Sequence, residues 1–558
     1  MLLSASLAAD PFWDWRNFLT TNHFSTYPGL GSALTAWQNL LGLASVLQGD
    51  SLHHRLQDTS GSQRAVPAVL RIASESELQA VLRIANQHRV PVYPVSTGHN
   101  WGYGTALPAS SGSVLLDLSS MARIVHFDAE LGVVTVEPGV TQGMLAAFLD
   151  QGQHPFLVPV TGAGPHCSLL ANALERGYGV TPYTDHFAAV TDLKAVLADG
   201  SLYRTALHEA GGEELARLFK WGIGPYSAGL FTQSGFGVVT QVSIVLARRP
   251  DCVKACIFSL RHEELLEPAV LAIRAVLARV PGVLGGLNIM NQHRVLSMSA
   301  PYPKECATTP SGLITPELLK DLGQHYQVFP WTGFATLYGS ERMVAAAQKE
   351  IRAALKPVAS RLMFISHRRA MQLARLSRWI PGSKGKGLQS LTATLTKSLE
   401  LVGGRPNETA LPLAYWRGHL HGKAGALNPG LDGCGLTWYA PLVPMRPDDV
   451  RRFVQMVHRI TPQYGIEPLI TFTTLNDRLF DSTVPLLFDR TQPAAVEAAA
   501  ACYQALLHSG KEQGWFPYRV GIDAMPALLG MQKHAPVFHD RLRKDLDPYD
   551  ILAPGRYR

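Results

Sequence analysis

The sequence predicts an α+β protein of more than one domain, and three observations carry that expectation. Glycine-rich loops follow β-branched runs through the first 240 residues, a strand-then-tight-loop pattern. After Pro250, helical runs alternate with strand candidates, which suits a sheet covered on one side by helices. The chain has 558 residues, 46% of them hydrophobic, enough to pack two or more cores.

Taken in order, residues 1–55 read as an N-terminal arm with an amphipathic helical stretch over Leu34–Leu47 and a subunit-contact role. Val90-Pro-Val-Tyr-Pro-Val95 reads as a short buried strand. It empties into the loop Pro94-Val-Ser-Thr-Gly-His-Asn-Trp-Gly-Tyr-Gly104. Val114–Asp117 and Val133–Gly139 are strand-like, the second closing in a Pro-Gly turn, and Thr141 caps a helical run through Met144, Leu145, Phe148 and Leu149. Pro159–Gly164, Asn172–Gly179 and Thr181–His186 form a second glycine-rich stretch around a short helix. Asp199-Gly200 signals a hairpin over Ala195–Tyr203. A third stretch, Gly222–Tyr226 with Gln233–Thr240, runs into a strand over Val238–Leu246. Beyond Pro250, helices are expected over Glu263–Val280, Glu341–Leu355 and Pro447–Ile460, and strands over Leu436–Pro441 and Pro468–Thr474.

Gly98, Gly102 and Gly104 allow positive φ and bring backbone N–H groups close to an anion, which is how a loop cradles a diphosphate without charged side chains. Three such loops serve one extended ligand better than three separate turns. Ser96-Thr-Gly98 with Asn100 and Gly102-Tyr-Gly104, Glu137-Pro-Gly-Val140, Glu175-Arg-Gly177, Thr181-Pro-Tyr183, Tyr518-Arg519 and the ending Asp547–Arg556 together resemble the vanillyl-alcohol oxidase and para-cresol methylhydroxylase flavoproteins over nearly the whole chain. The resemblance implies an FAD-binding domain of the para-cresol methylhydroxylase type over 56–249. It also implies an α+β cap domain with an antiparallel sheet over 250–509, and a segment over 510–558 that returns to the FAD-binding domain.

It further implies FAD contacts from Ser96, Thr97, Gly98, His99, Asn100, Gly102, Pro159, Gly162, Gly164, Cys167, Asn172, Gly177, Tyr183, Gly237, Val239 and Arg556. Gly98-His99 looks like the pair through which sugar oxidases and berberine-bridge-like enzymes anchor FAD covalently. Such a link raises the flavin's reduction potential, and a hydrogen-bonding role for His99 is the alternative. Cys167 is a second candidate anchor. The cap segment where relatives place an anchoring histidine has Gly435 or Leu436 instead.

Tyr103, Tyr518 and Arg519 match the positions that hold the phenolic oxygen in this family, where two hydroxyl donors and a cation stabilise a phenolate. Vanillyl-alcohol oxidase has an aspartate where this chain reads Pro159-Val-Thr-Gly162, so Asp481 is the substitute acid/base candidate. The function expected is an FAD-dependent oxidoreductase that removes hydride from the para side chain of a phenol. An alcohol, polyol or sugar oxidase, or a binding protein on the same fold, are the alternatives.

The remaining features narrow the class. Net charge is +7 with charged residues at 17%, and the only basic cluster is Arg361, His367, Arg368, Arg369, Arg375 and Arg378, read as a solvated helix face rather than a nucleic-acid site. His419 and His421 share one strand face, with no carboxylate or cysteine at ligand spacing to make a metal site. The six cysteines form no Cys-x-x-Cys pair and are expected as thiols. Met1–Asp10 lacks a basic n-region and is not read as a secretory signal. A cytoplasmic protein follows, with the periplasm as the alternative, and no membrane segment is expected. A homodimer is expected, with oxygen or a cytochrome as electron acceptor.

Overall fold

The computed structural model describes residues 27–304, 312–377, 379, 382–418, 426–532 and 535–557. Met1–Asp10, Cys306, Arg378, His419 and His421 lie outside the described residues.

Four strands form the first sheet, in the order Val46–Leu47, Val69–Arg71, Val114–Asp117, Val92–Val95. Val114–Asp117 runs parallel to both neighbours and is buried along its whole length, as its uninterrupted apolar run requires. The helix Glu75–His88 supplies the crossover. Its N-cap Ser74 accepts from the Glu77 N–H at 3.2 Å, and the Glu77 carboxylate accepts from the Ala73 N–H at 2.8 Å. Against its Leu78–Val81–Leu82–Ala85 stripe packs a helix over Leu30–Leu41, through Ala33 and Trp37. Trp37 Nε1 donates to Val81 O at 3.1 Å. The described part of the expected arm is therefore built into this core. Its helix stops at Gly42 (φ +82°), so Val46 and Leu47, expected to be helical, pair with Val69–Arg71 instead.

The second sheet is antiparallel, in the order Ile124–Asp128, Val133–Val136, Val238–Val245, Val190–Val196, Leu202–Arg204. The Asp199-Gly200 hairpin forms as expected. Thr141 Oγ1 accepts from the Met144 N–H at 3.2 Å and starts the helix Gln142–Gln151.

The third sheet has eight antiparallel strands. Arg361–Ser366, Cys252–Leu260, Trp331–Gly339, Leu284–Asn291, Thr471–Thr474, Leu479–Phe488 and Gly435–Tyr439 follow one another, and Leu442–Pro444 also pairs with Leu479–Phe488. Helices Leu266–Arg279, Glu341–Leu355, Pro447–Ile460 and Pro493–Glu512 pack on one another and on this sheet. Strand alternation then sorts the residues. Ile289 and Phe472, partners across two strands, enter the apolar core, while the next row, Asn288–Thr473–Asp481, lines a cleft. The chain end closes the assembly, because Val92 N–H donates to Ile551 O at 2.7 Å and Ala553 N–H to Val92 O at 2.8 Å.

Arg368, Arg369 and Arg375 are exposed on the helix His367–Ser377, as a solvated helix face requires, whereas Arg361, also exposed, begins the strand Arg361–Ser366. Cys167, Cys252, Cys256 and Cys502 are buried free thiols, and Cys434 is buried as well. Among the described residues no helix is long and apolar enough to cross a membrane, and no group of three His, Cys, Asp or Glu side chains could hold a metal ion.

Candidate active site

A cleft of about 400 Å³ runs between the loop after Val92–Val95, the loop after Val160, the C-terminal segment and the third sheet. That lies within the roughly 300–1,000 Å³ of ordinary small-molecule pockets, and a lining drawn from all four of these parts suits an extended ligand.

Of the expected cofactor residues, Ser96, Thr97, Gly98, His99, Asn100, Gly162, Cys167, Asn172, Gly177 and Arg556 line the cleft. The amides of Thr97, Gly98 and His99 have no hydrogen-bond partner among the described residues, whereas Asn100 is bridged to Thr105. Gly102 and Tyr103 are different, since their N–H groups donate to Thr59 Oγ1 and Asn100 O. At Gly102 (φ +79°) a Cβ would stand 2.2 Å from the Trp438 ring, so this glycine serves packing rather than a ligand. Pro159, Gly164, Tyr183, Gly237 and Val239 do not line the cleft either. Gly164 packs on Leu411, Gly237 on Phe231, Val239 sits in the core of the second sheet, and Tyr183 is exposed.

His99 stacks on Trp101 with ring centroids 4.9 Å apart and meets His166 edge-on. Its Nδ1 is buried without a partner, and burial, with His166 adding to it, lowers the imidazole to about 4. A neutral ring with an orphaned nitrogen in a cofactor-sized cleft is what a bound flavin edge would complete. The Cys167 thiol, by contrast, donates to Ser168 O at 3.7 Å and is pushed up by burial, away from the thiolate a nucleophile needs. Leu436 lines the cleft with an apolar side chain, consistent with the absent cap anchor.

Tyr103, Tyr518, Arg519 and Asp481 converge on the same cleft. The Arg519 guanidinium lies 4.3 Å above the Tyr103 ring, hydrogen-bonds Asn100 Oδ1 and approaches Glu175 Oε2 at 3.6 Å. Burial opposes its charge, but Glu175 and the surrounding tyrosines outweigh that and hold it above its ordinary range. The Tyr103 and Tyr518 hydroxyls have no partner among the described residues, and burial raises both above the ordinary phenol value, with Arg519 pulling the other way. Asp481, only 5% exposed and with Oδ1 unpartnered, is pushed up to about 7 by burial, against the pull of Arg519.

Two residues outside the expected set matter. Glu175 is held below its ordinary range despite burial, by Arg556 and Arg519 on either side; Arg556 also donates to Tyr93 Oη at 2.8 Å. Glu175 stood in the quoted Glu175-Arg-Gly177 motif, whereas Arg294, which lines the cleft from the helix Gln292–Ser299, carries no sequence signal.

Comparison with known proteins agrees with this geometry. The family described as FAD binding domain matches residues 66–206. Over 95% of this chain and 97% of its own length, 1'-carboxy-chondrochloren decarboxylase of Chondromyces crocatus is 35% identical. The flavoprotein subunit of 4-cresol dehydrogenase (hydroxylating) from Pseudomonas putida is 26% identical over 94% of each chain. Two solved structures superpose with TM-scores of 0.83. One is p-cresol methylhydroxylase with substrate bound, at 25% identity and covering 95% of this chain and 96% of its own. The other is 4-ethylphenol oxidase from Gulosibacter chungangensis with isoeugenol, at 23% identity and covering 95% and 97%. With fold, cleft and full-length similarity in agreement, the chain belongs to the para-cresol methylhydroxylase family of FAD-dependent oxidoreductases.

Proposed function

We propose that this enzyme oxidises the para side chain of a phenolic substrate at its benzylic carbon, and that Tyr103, Tyr518 and Arg519 hold the phenolic oxygen. The observation that carries the reading is a buried arginine beside two unpartnered tyrosine hydroxyls at one end of the cleft. Such donors favour the phenolate over the phenol, and electron release from the phenolate makes the benzylic C–H a hydride donor. FAD would be held by the amides of Thr97–His99, by Gly162 and at its ring edge by His99, and would supply the two-electron acceptor. A covalent flavin link through His99 belongs to the same reading, as do a homodimer and a cytochrome or oxygen acceptor.

Loss of hydride from the phenolate leaves a quinone methide, and the chain's residues govern its exit. Asp481, poised near neutrality, is placed to take a proton from water that adds at the benzylic carbon, giving the alcohol, or from the next carbon, giving the alkene. The Chondromyces crocatus relative is named for a decarboxylation. A quinone methide with a carboxylate on that next carbon can follow suit. The C–C bond breaks, CO2 leaves, and its electron pair becomes the side-chain double bond and restores the phenolate. The test compares flavin reduction by a 4-alkylphenol and by its O-methyl ether, which cannot ionise. Reduction by the phenol alone is expected; equal rates, or reduction only by polyols and sugars, would overturn the reading.

A further inference from the structure

Among the described residues Arg294 has no counter-ion, and it lines the same cleft as the proposed phenolate site. It stands in the first turn of the helix Gln292–Ser299, where Asn291 Oδ1 caps the chain by accepting from the Arg294 N–H at 3.1 Å. Its Nε and Nη1 are shut off from water with no hydrogen-bond partner, and no carboxylate among the described residues pairs with it. Burial lowers the guanidinium to about 10, which still leaves it charged at neutral pH. An unpaired buried charge is costly, so a site that keeps one is completed by an anion from outside.

The position of the cation decides which anion. Asn288, Thr473 and Asp481 stand side by side on three neighbouring strands and all line the cleft. Asp481 feels Arg519 at the phenolate end, while Asn288 belongs to the strand that leads directly into the Arg294 helix. Two inter-strand steps, about 10 Å, separate the ends of this row. Asn288 Oδ1 accepts from Thr473 Oγ1 at 2.7 Å, which fixes the amide and leaves its NH2 as a second donor. The amides proposed to cradle the diphosphate, those of Thr97–His99, follow a strand of the first sheet, whereas Asn288 belongs to the third sheet and Arg294 to the helix after it.

We infer that Arg294, with Asn288 beside it, binds a carboxylate on the side chain of the substrate, so that the preferred substrate is an anionic para-hydroxyphenyl compound rather than a neutral alkylphenol. This rests on the phenol reading above and adds the far end of the molecule to it. With Nε and Nη1 shut off from water, Nη2 is the donor left to reach a carboxylate in the cleft, in a charge-assisted hydrogen bond.

Calorimetric titration of the FAD-loaded enzyme with 3-(4-hydroxyphenyl)propanoate, 4-propylphenol and 3-phenylpropanoate tests it. The carboxylated phenol is expected to bind about 10- to 100-fold more tightly than 4-propylphenol, the range for a hydrogen bond to a charged group. Arg294→Met should erase that preference without changing the affinity for 4-propylphenol or the flavin content, and Arg294→Lys should restore part of it. Equal affinities in the unsubstituted enzyme, a preference that survives Arg294→Met, or flavin loss in both variants would overturn the inference. If 3-phenylpropanoate binds as tightly as its phenolic counterpart and Arg294→Met weakens both, Arg294 keeps its role and the phenol reading falls.

Discussion

Replacing Asp481 with asparagine should make the protein more stable and the enzyme slower, with opposite dependences on pH. Burial moves this carboxyl from 3.8 to about 7, and each unit corresponds to ~1.4 kcal/mol. The raised value means that the folded protein holds the proton more tightly than the unfolded chain does. Its contribution to stability is intact below pH 3.8, then falls as pH rises and the unfolded chain alone ionises; the loss levels off above pH 7. The full penalty is about 4 kcal/mol, of which roughly 2–3 kcal/mol accrues between pH 5 and pH 8. Asparagine keeps the shape and removes the titration.

Thermal unfolding of both proteins at pH 5 and pH 8 reads this directly. For a unit of about 250 residues, ~1 kcal/mol shifts Tm by roughly 2–4 °C, so the variant's advantage should grow by about 5–10 °C from pH 5 to pH 8. Activity should move the other way. The limb of kcat/KM that rises through pH 7 in the unsubstituted enzyme should disappear in Asp481→Asn, because the ionised carboxylate is the base. An advantage in Tm that is the same at both pH values would refute the buried, proton-holding carboxyl. A rising limb that persists in the variant would refute its role as the base.

Arg519→Ala should cost roughly 2–4 kcal/mol of transition-state stabilisation, about 30- to 1,000-fold in kcat/KM for a para-hydroxylated benzylic substrate. Acid precipitation should leave flavin on the unsubstituted protein and release it from His99→Ala; flavin that leaves the unsubstituted protein quantitatively removes the covalent link. Glu175→Gln would strand Arg556 and Arg519 in a buried site without their shared counter-charge, at a cost of ~3–5 kcal/mol, visible as lower Tm and weaker flavin retention. Trp37→Ala should cost about 3–5 kcal/mol, whereas a tryptophan on a free arm would show no effect in the same denaturation assay.

The sequence is most legible where local chemistry decides structure. Thr141, Asp199-Gly200 and the runs Glu341–Leu355 and Pro447–Ile460 each form the cap, hairpin or helix their residues favour. Six strands of the third sheet carry no local signal, because Cys252–Leu260, Trp331–Gly339 and their neighbours are specified by partners far away in the chain. The loops were legible as ligand loops, yet not residue by residue. Gly102 and Gly164 share the glycine signal with Gly98, and only the packing of Trp438 and Leu411 separates a structural glycine from one at the cleft. Asp481 was named from a family gap, but its burial depends on a sheet row shared with Asn288 and Thr473. Arg294 was invisible, since nothing in Asn291-Gln-His-Arg294 distinguishes it from an exposed helix start.

The charges of the cleft explain why these residues belong to one device. The lysine-free lining holds Arg294, Arg519 and Arg556 against Glu175 and Asp481. Glu175 is committed to Arg556 and Arg519, and Asp481 is only half ionised near neutrality. The excess is between one and two positive charges in a place where uncompensated charge is expensive. A cofactor diphosphate, a phenolate and a side-chain carboxylate are all anions, and the proposed reading gives each a separate donor set: the amides of Thr97–His99, the Arg519–tyrosine group and Arg294. Positive potential in the cleft thus draws in anions in general. The separate donor sets then decide where each one sits, and the ionised fraction of Asp481 is what can serve as the base.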